Sequence, residues 1–313
     1  MLKDNMLDNR GLIFQKIEKG KQVEVNLLES MGQLLEYADY TGNEKLKEET
    51  LELIFKYFET GEGYLSWQIY KGKPQKATAL FDELRILKVL LEDEKSKKNE
   101  FYIKTLKDSL YNFSLRDGKW VDFYDARCAD KADIISLFYI DIETLKELAK
   151  NDKRFYNASK KAEEILSNAP VNDYGFFPQV YNYEEQAYIY SSSANMVENI
   201  LTNMHYLHNG GDIDKFLSFL KREIDKGHIY NIYDYDGNPV KKEESTAVYA
   251  LSCQLFLEVG DYNYADLCYK KMMSFRIKKG KLTGGFGDSL ANTVYAYDQL
   301  EALKTMRIRE VNI

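Results

Sequence analysis

The sequence predicts an all-α fold in which six helical hairpins close into an (α/α)6 toroid, an inner ring of helices inside an outer ring. Apolar residues recur at helical spacing over most of the 313 residues. Long loops rich in glycine and aromatic residues separate successive hairpins. Long loops on one side of six pairs favour a closed ring over an open solenoid. Short polar turns divide the two helices of each pair around Gly42, Lys97, Asn151, Gly211 and Gly260.

The first hairpin joins a helix over 25–40 to one over 44–58, with Thr41-Gly42-Asn43 as the turn between them. A closing helix is expected at 289–306 and a weaker opening helix at 5–19, about twelve helices in all. The stretch from His228 to Tyr235 alternates like a strand and predicts a small hairpin closed at Asp236-Gly237. Four further hairpins are predicted, at 78–93 with 98–113, 131–149 with 153–168, 186–208 with 212–226, and 243–259 with 262–276.

The composition indicates one domain over 1–313, since no Pro/Ser-rich linker divides the chain. The net charge is −7, with basic residues interspersed among acids, which argues against a nucleic-acid surface. No apolar run approaches the ~18 residues of a membrane span. We expect a monomer that binds a neutral ligand.

The cysteines and histidines predict neither a metal site nor a cofactor. Cys128, Cys253 and Cys268 form no C-x-x-C pair. His205 and His208 are expected to be exposed on a helix. The first residues have no signal-peptide pattern, and the sequence leaves open whether the protein is secreted or cytoplasmic.

Carboxylates follow nearly every long loop, close to the start of the next predicted helix. Helix N-termini favour negative side chains, so most of these acids are expected to be caps or dipole partners. Glu29 differs because it lies in an apolar helical stretch beside Leu28 and Met31. Burial there would raise its pKa, as a general acid requires, although a solvated position beside Gln33 is an equal alternative. The acids near helix starts are Asp82, Asp133, Glu184, Glu185, Glu243, Glu244 and Asp288.

The order of several short segments resembles the N-terminal part of glycoside hydrolase family 8 enzymes. The segments are Glu29-Ser-Met-Gly32, Thr41-Gly-Asn43, Gly63-Tyr-Leu-Ser-Trp67 and Ala77-Thr-Ala-Leu-Phe-Asp82. Lys119-Trp-Val-Asp-Phe-Tyr-Asp125 and the hairpin rhythm also resemble such toroids. The resemblance implies an inverting glycosidase acting within a polysaccharide chain, with Glu29 as proton donor. It points to a β-1,4-linked glucan, xylan or chitosan, while divergence in the motifs leaves an α-glucan possible.

Inversion requires a second carboxylate to activate water. Asp82 matches the family's aspartate on the second inner helix, with Glu83 adjacent, but no Tyr-Asp-Ala segment matches the family's usual base. Our order of preference for the base is Asp82, then Glu198, then Asp122. The sugar is expected to contact aromatic and polar loop residues, because aromatic rings suit the C–H face of a sugar. These are Trp67, Trp120, Tyr124, Asp122 and Tyr183.

Three other functions remain open at this stage. A catalytically inactive sugar-binding protein would fit the lost motifs. A sugar isomerase or epimerase would fit the toroid, since fold does not fix function. A helical-repeat scaffold for protein binding would not need five long aromatic loops on one side.

Overall fold

The computed structural model describes residues 1–92 and 99–312. The predicted turn at Lys97 lies outside these residues. Helices dominate the described chain, and short strands occupy the loops between helix pairs. The α-helices are α1 (Leu28–Tyr40), α2 (Glu44–Tyr57), α3 (Leu80–Glu92), α4 (Glu100–Phe113), α5 (Ile142–Asn151), α6 (Tyr156–Ser167), α7 (Met196–His208), α8 (Asp214–Asp225), α9 (Thr246–Glu258), α10 (Tyr262–Ser274) and α11 (Ala296–Asn312).

The odd-numbered helices form a closed inner ring. Helix α1 packs against α3, α3 against α5, α5 against α7, α7 against α9 and α9 against α11, and α11 packs back against α1. Helices α2, α4, α6 and α10 each pack on the inner helix that precedes them, and α8 packs beside α10. The predicted toroid is confirmed. Helix α9 of the inner ring is buried at every position from Thr246 to Leu257. This is expected for a mostly apolar helix that packs against neighbours on all sides.

Short antiparallel strands join the N-terminal ends of neighbouring inner helices. For example, Val25–Leu27 before α1 pairs with Gln68–Tyr70 before α3, and Ala194–Asn195 before α7 pairs with Ile232–Tyr233 before α9. All the long loops therefore lie at one end of the ring, which we call the loop rim. The hairpin predicted near Gly237 is confirmed, because Ile232–Tyr233 also pairs with Pro239–Lys241.

Five predicted helix starts are wrong because strands occupy those residues. Val25–Leu27 forms a strand before α1 and Val294–Tyr295 a strand before α11, so these helices begin later than the predicted 25 and 289. The segment 5–19 is helical only at Leu2–Met6, and Lys16–Glu18 forms a strand that turns at Lys19-Gly20 and pairs with Lys21–Gln22. Both turn residues have positive φ, the geometry of a tight hairpin turn. Helices α5 and α7 begin later than predicted, since strands precede them. Those strands are Ile134–Ser136, Ala187–Ile189 and Ala194–Asn195.

Within the described residues, no helix combines the length and the apolar character needed to cross a membrane.

Candidate active site

The structure brings Glu29 and Asp82 together at the loop rim. Glu29 is the second residue of α1 and Asp82 the third of α3. The backbone N–H of Leu28 donates to the carbonyl of Trp67 at 2.9 Å, which ties the start of α1 to the loop before α3. The backbone N–H of Glu29 in turn donates to the Asp82 carboxylate. Two acids that are 53 residues apart in sequence thus form one pair.

Burial raises the pKa of both carboxyls, and the negative charge of Glu29 adds to the rise at Asp82. For Glu29, burial is the largest cause, the positive charge of Arg85 opposes it, and Glu301 adds to it. Asp82 is 6% exposed. Burial raises its pKa well above the usual value, the charge of Glu29 adds to the rise, and Arg85 opposes it. Two carboxyls that share a site cannot both ionise easily. The pair therefore ionises completely only at a higher pH than two separate, exposed carboxyls would.

Glu83 points away from this pair. Its carboxylate accepts hydrogen bonds from the backbone N–H of Leu65 at 3.2 Å and from Oγ of Ser109 on α4 at 2.8 Å. Burial raises its pKa to about 7. Of the two adjacent acids of α3, Glu83 is thus directed towards the outer helix α4, and Asp82 is directed towards Glu29 at the rim.

Asp122 and Glu198 form a second acidic group at the rim. Asp122 is buried, and its two oxygens accept hydrogen bonds from the backbone N–H and from Oγ of Ser136, each at 2.6 Å. Burial raises the pKa of Asp122 to about 6, and the charge of Glu198 contributes. Glu198 is half-buried and accepts a hydrogen bond from Nε2 of Gln179 at 3.2 Å. Burial also raises the pKa of Glu198.

Tyr139, which was not among the predicted site residues, lies between the two acidic groups. Its ring stacks on Phe81, with centroids 5.4 Å apart and planes at 14°. Its region was predicted as helix, whereas it forms a short 3-10 turn before α5. The paired aromatics Phe138-Tyr139 directly before an inner helix were the available signal. Burial raises the pKa of Tyr139, and the charges of all four acids add to the rise, in the order Asp82, Asp122, Glu29 and Glu198.

The two tryptophans differ, and the prediction for Trp120 is wrong. Trp67 is 37% exposed, and its backbone is held on both sides, by Leu28 and by Ala77. Its ring is exposed in the loop that leads to α3, and its carbonyl is bonded to the residue before Glu29. Trp120 is completely buried and stacks on Phe155 with centroids 5.4 Å apart and planes at 4°. Its ring packs between loop and outer layer, so it cannot be a sugar platform.

Tyr124 and Tyr183 are half-buried and largely engaged in packing. The ring of Tyr124 lies 5.0 Å from that of Phe113. The hydroxyl of Tyr183 donates to the carbonyl of Trp120 at 2.6 Å. Burial raises the pKa of Tyr183, and the charge of Asp122 adds to the rise, which places Tyr183 near the second acidic group. Direct sugar contact by either tyrosine stays a prediction.

The two histidines of α7 are not exposed as predicted. They lie in the C-terminal half of the helix and line an axial cavity of about 530 Å³, formed by the deeper parts of the inner helices. His205 is 7% exposed, and burial lowers its pKa to about 4. His208 contacts Glu143 and Glu258. The helix direction explains this placement, because the ends of the inner helices point away from the rim.

A groove of about 1220 Å³ lies on the rim over the starts of α9 and α11. Its lining includes Thr246, Tyr295 and Asp298. Asp298 accepts a hydrogen bond from the backbone N–H of Ala247 at 2.7 Å, which joins the starts of the two helices. Tyr297, two residues after Tyr295, has its pKa raised by burial, and the charge of Glu29 contributes.

Comparison with known proteins finds no matching family model. The chain is 26% identical over 311 residues to the putative lipoprotein YdaJ of Bacillus subtilis (strain 168), across 97% of this chain and 84% of that protein. Among solved structures, it is similar to one described as a novel α-amylase from Clostridium perfringens, with a TM-score of 0.88, 23% identity, and coverage of 98% of this chain and 94% of that chain.

More distant structures carry other activities on the same architecture. A family 8 glycoside hydrolase xylanase from Teredinibacter turnerae has a TM-score of 0.68 and 11% identity, over 96% of this chain and 85% of that chain. A D-mannose isomerase has a TM-score of 0.72 and 10% identity, over 99% and 94%. The chain is thus a divergent member of the (α/α)6 toroid fold, which it shares with the family 8 glycoside hydrolases.

Proposed function

We propose that the protein is an inverting glycoside hydrolase that cleaves a neutral glucan within the chain. The observation that carries this proposal is the buried pair of Glu29 and Asp82 at the loop rim, beside the exposed ring of Trp67. A general acid is most effective when its pKa lies near the working pH. Burial and the charge of Glu301 raise the pKa of Glu29, against the opposing charge of Arg85. Glu29 is therefore proposed to donate a proton to the leaving glycosidic oxygen.

The contact between Glu29 and Asp82 changes the preferred base. An inverting enzyme needs roughly 6.5–9.5 Å between its two carboxyls to leave room for water. Asp82 accepts a hydrogen bond from the backbone of Glu29 itself, and the charge of Glu29 raises the pKa of Asp82, so we assign Asp82 to the acid side of the site, as the partner with which Glu29 shares a proton. Glu198 then becomes the first candidate for the base and Asp122 the second.

Glu198 is favoured over Asp122 by its hydrogen bonds. Both oxygens of Asp122 accept bonds from Ser136. Glu198 is half-buried and accepts a bond at one oxygen, from Gln179. Its other oxygen can orient a water molecule and take its proton. The water would attack the anomeric carbon on the face opposite to the leaving oxygen, which inverts the configuration.

The substrate is proposed to be a glucan that stacks on aromatic rings. Trp67 offers an exposed ring at the rim, and the half-buried ring of Tyr139 lies between the two acidic groups, supported from one side by the buried ring of Phe81. Such rings match the apolar face of a pyranose. An α-glucan is the first choice, since the structure described as an α-amylase has a TM-score of 0.88. A β-1,4-linked glucan or xylan is the second.

The isomerase alternative has less support from the site. An isomerase or epimerase must move protons on the sugar, and histidine is the side chain used most often for such acid–base steps. Here His205 and His208 line the axial cavity, in the C-terminal half of α7. An inactive sugar-binding protein would keep Trp67 but would not need two carboxyls buried together at the loop rim.

The test is release of reducing sugar by the wild type and by Glu29→Gln. The wild type and the variant are incubated with amylose, β-1,4-glucan, xylan and chitosan. We expect the substitution to lower the rate by about 10²–10⁴-fold while binding to the same polysaccharide persists. Glu24→Gln makes the same chemical change at an exposed position before α1 and should keep full activity. Full activity in Glu29→Gln, or products that retain the anomeric configuration by NMR, would overturn the mechanism.

A further inference from the structure

Arg85 lies one helical turn below the acidic pair, in the centre of the ring. It follows Asp82 by three residues on α3, a spacing that places both on the same face of the helix. Its side chain is 4% exposed. Nη1 of Arg85 lies 2.9 Å from Oε2 of Glu36 on α1 and 3.8 Å from Oε1 of Glu301 on α11. Three inner helices thus meet at this one guanidinium.

Gly32 makes the space that Arg85 occupies. It follows Glu29 by three residues, so it faces α3 at the level of Arg85. A Cβ atom at position 32 would lie 2.9 Å from Cδ of Arg85, a contact too close to accept without movement. On its other side the guanidinium stands over the ring of Phe81, 4.9 Å from the centroid. Steric limits and ion pairs therefore fix Arg85 beneath the pair.

Glu301 is itself held in place. It accepts hydrogen bonds from Nε2 of Gln33 at 2.8 Å and from Nε2 of Gln254 at 3.0 Å, and Nζ of Lys304 lies 3.2 Å away. The inner helices therefore carry their charges in levels one turn apart. Glu29 and Asp82 form the upper level, Arg85 and Glu301 the middle level, and Glu36 and Lys304 the lower level.

The charge of Arg85 acts on both carboxyls of the pair. Without an opposing cation, two buried carboxyls would both tend to stay protonated, and the pair could not hold one proton and one charge. Other titratable side chains face the pair and Arg85 from each neighbouring element. One turn deeper, Asp141 and His205 face Lys88. Those other groups are Glu36, Lys88, Tyr139, Tyr297, Glu301 and Lys304.

We propose that Arg85 is a positioning residue for the acidic pair: its buried charge, held by Glu36 and Glu301, lets one carboxyl ionise while the other keeps its proton. This inference rests on the proposed function, in which Glu29 must be protonated during the reaction. Arg85 does not touch the sugar in this account. It acts through Glu29 and Asp82.

The experiment measures the protonation of the pair directly, by NMR titration of ¹³C-labelled carboxyls. The Glu29 and Asp82 signals are assigned from their absence in Glu29→Gln and Asp82→Asn. The test variants are Arg85→Met, which removes the charge, and Gly32→Ala, which keeps the charge and moves it. Arg85→Lys restores the charge, and Lys88→Met removes a buried cation one turn further from the pair. Hydrolysis is followed over the same pH range.

We expect Arg85→Met to raise both titration midpoints by about one pH unit or more. Gly32→Ala should raise them less, because Arg85 must move away from α1. Arg85→Lys should restore part of the shift, and Lys88→Met should leave the midpoints nearly unchanged. Both limbs of the pH profile of hydrolysis should move to higher pH in Arg85→Met. If that variant fails to fold, Gly32→Ala tests the same charge with all charged groups present.

The outcomes separate this inference from the proposed function. Unchanged midpoints in folded Arg85→Met or Gly32→Ala, with wild-type hydrolysis intact, would overturn the role of Arg85 alone. Equal shifts in Arg85→Met and Lys88→Met would also overturn it, since the effect would then belong to any buried cation. If the midpoints shift as expected in the variants but the wild type hydrolyses none of the polysaccharides, the role of Arg85 stands and the glycosidase proposal is overturned.

Discussion

Glu29 and Glu36 lie seven residues apart on the same inner helix, and burial acts on both, but their pKa values move in opposite directions. Burial raises the pKa of Glu29, and one cation, Arg85, opposes it. Burial also raises the pKa of Glu36, but the charges of Arg85, Lys304 and Lys88 together outweigh it and lower the pKa. The difference teaches that the number of facing cations, rather than burial, decides which acid keeps a proton.

The same contrast extends across the ring. At the loop rim, burial raises the pKa of Asp82 and of Asp122. Around the axial cavity, burial raises the pKa of Asp141, but Lys88, His205 and the hydrogen bonds from Thr144 together outweigh it. A hydrogen bond to His208 lowers the pKa of Glu143 to about 2. One end of the toroid therefore holds protons that could be donated, and the other end holds ion pairs that stabilise the ring.

The largest expected effect on the free energy of unfolding comes from removing the carboxylate of Glu36. Glu36→Gln leaves Arg85 and Lys304 short of a carboxylate, and breaking a buried ion pair from one side costs about 3 kcal/mol or more. Glu29→Gln removes an acid whose charged form is disfavoured, so its free energy of unfolding should stay equal to that of the wild type or rise. Urea denaturation at pH 7 measures both. Equal losses in the two variants would remove the distinction between the two ends.

The pH dependence of these two variants should also be opposite. The pKa of Glu36 is lowered by folding, so its contribution to stability is present above the unfolded value of about 4.3 and is lost as the pH falls. The pKa of Glu29 is raised by folding, so its contribution is present below that value and is lost as the pH rises.

Denaturation from pH 3 to pH 8 tests this reversal. The cost of Glu36→Gln should shrink towards low pH, and any cost of Glu29→Gln should shrink towards high pH. If the stability cost of both variants changed with pH in the same direction, the facing cations would not be what sets the two pKa values. Glu24→Gln, at an exposed position outside both groups, supplies the baseline.

Much of the fold could be predicted because its signals are local. The turn at Gly42 and the start of α2 at Glu44 follow from neighbouring residues, and the structure agrees. The starts of α5 and α7 could not be predicted in this way. Strands precede these helices because Ile134–Ser136 pairs with Val180–Asn182, over 40 residues away. Pairing at that distance overrides the local helical pattern.

The site could be predicted in part for the same reason. Glu29 was recognisable as an acid in an apolar helical stretch, and Asp82 as an acid after a long loop. Arg85 was not recognisable, because its importance depends on Gly32, which lies 53 residues earlier and supplies its space. Trp67 and Trp120 have similar loop contexts, and only the presence of Phe155 makes the second one a core residue.

The smallest expected effect tests the ion pairs at the cavity end. His208 links α7 to α5 through Glu143, with Nδ1 3.1 Å from Oε2, and to α9 through Glu258. Hydrogen bonds to these two acids raise the pKa of His208 to about 9. Folding raises this pKa above the unfolded value of about 6.5, so the contribution is complete below that pH and is lost as the pH rises through about 9. A shift of that size is worth about 3 kcal/mol at most. Partial exposure of the ring reduces it to about 1 kcal/mol.

His208→Gln should therefore lower the free energy of unfolding by about 1 kcal/mol at pH 6 and by almost nothing at pH 10. His228→Gln is the matched control, since His228 lies on a loop against Tyr230 and bridges no helices. Denaturation at several pH values compares the two. A cost of His208→Gln that does not change with pH would mean that shape rather than charge joins these helices. The contrast between the two ends of the ring would then rest on the ion pairs of Glu36 with Arg85 and Lys304 alone.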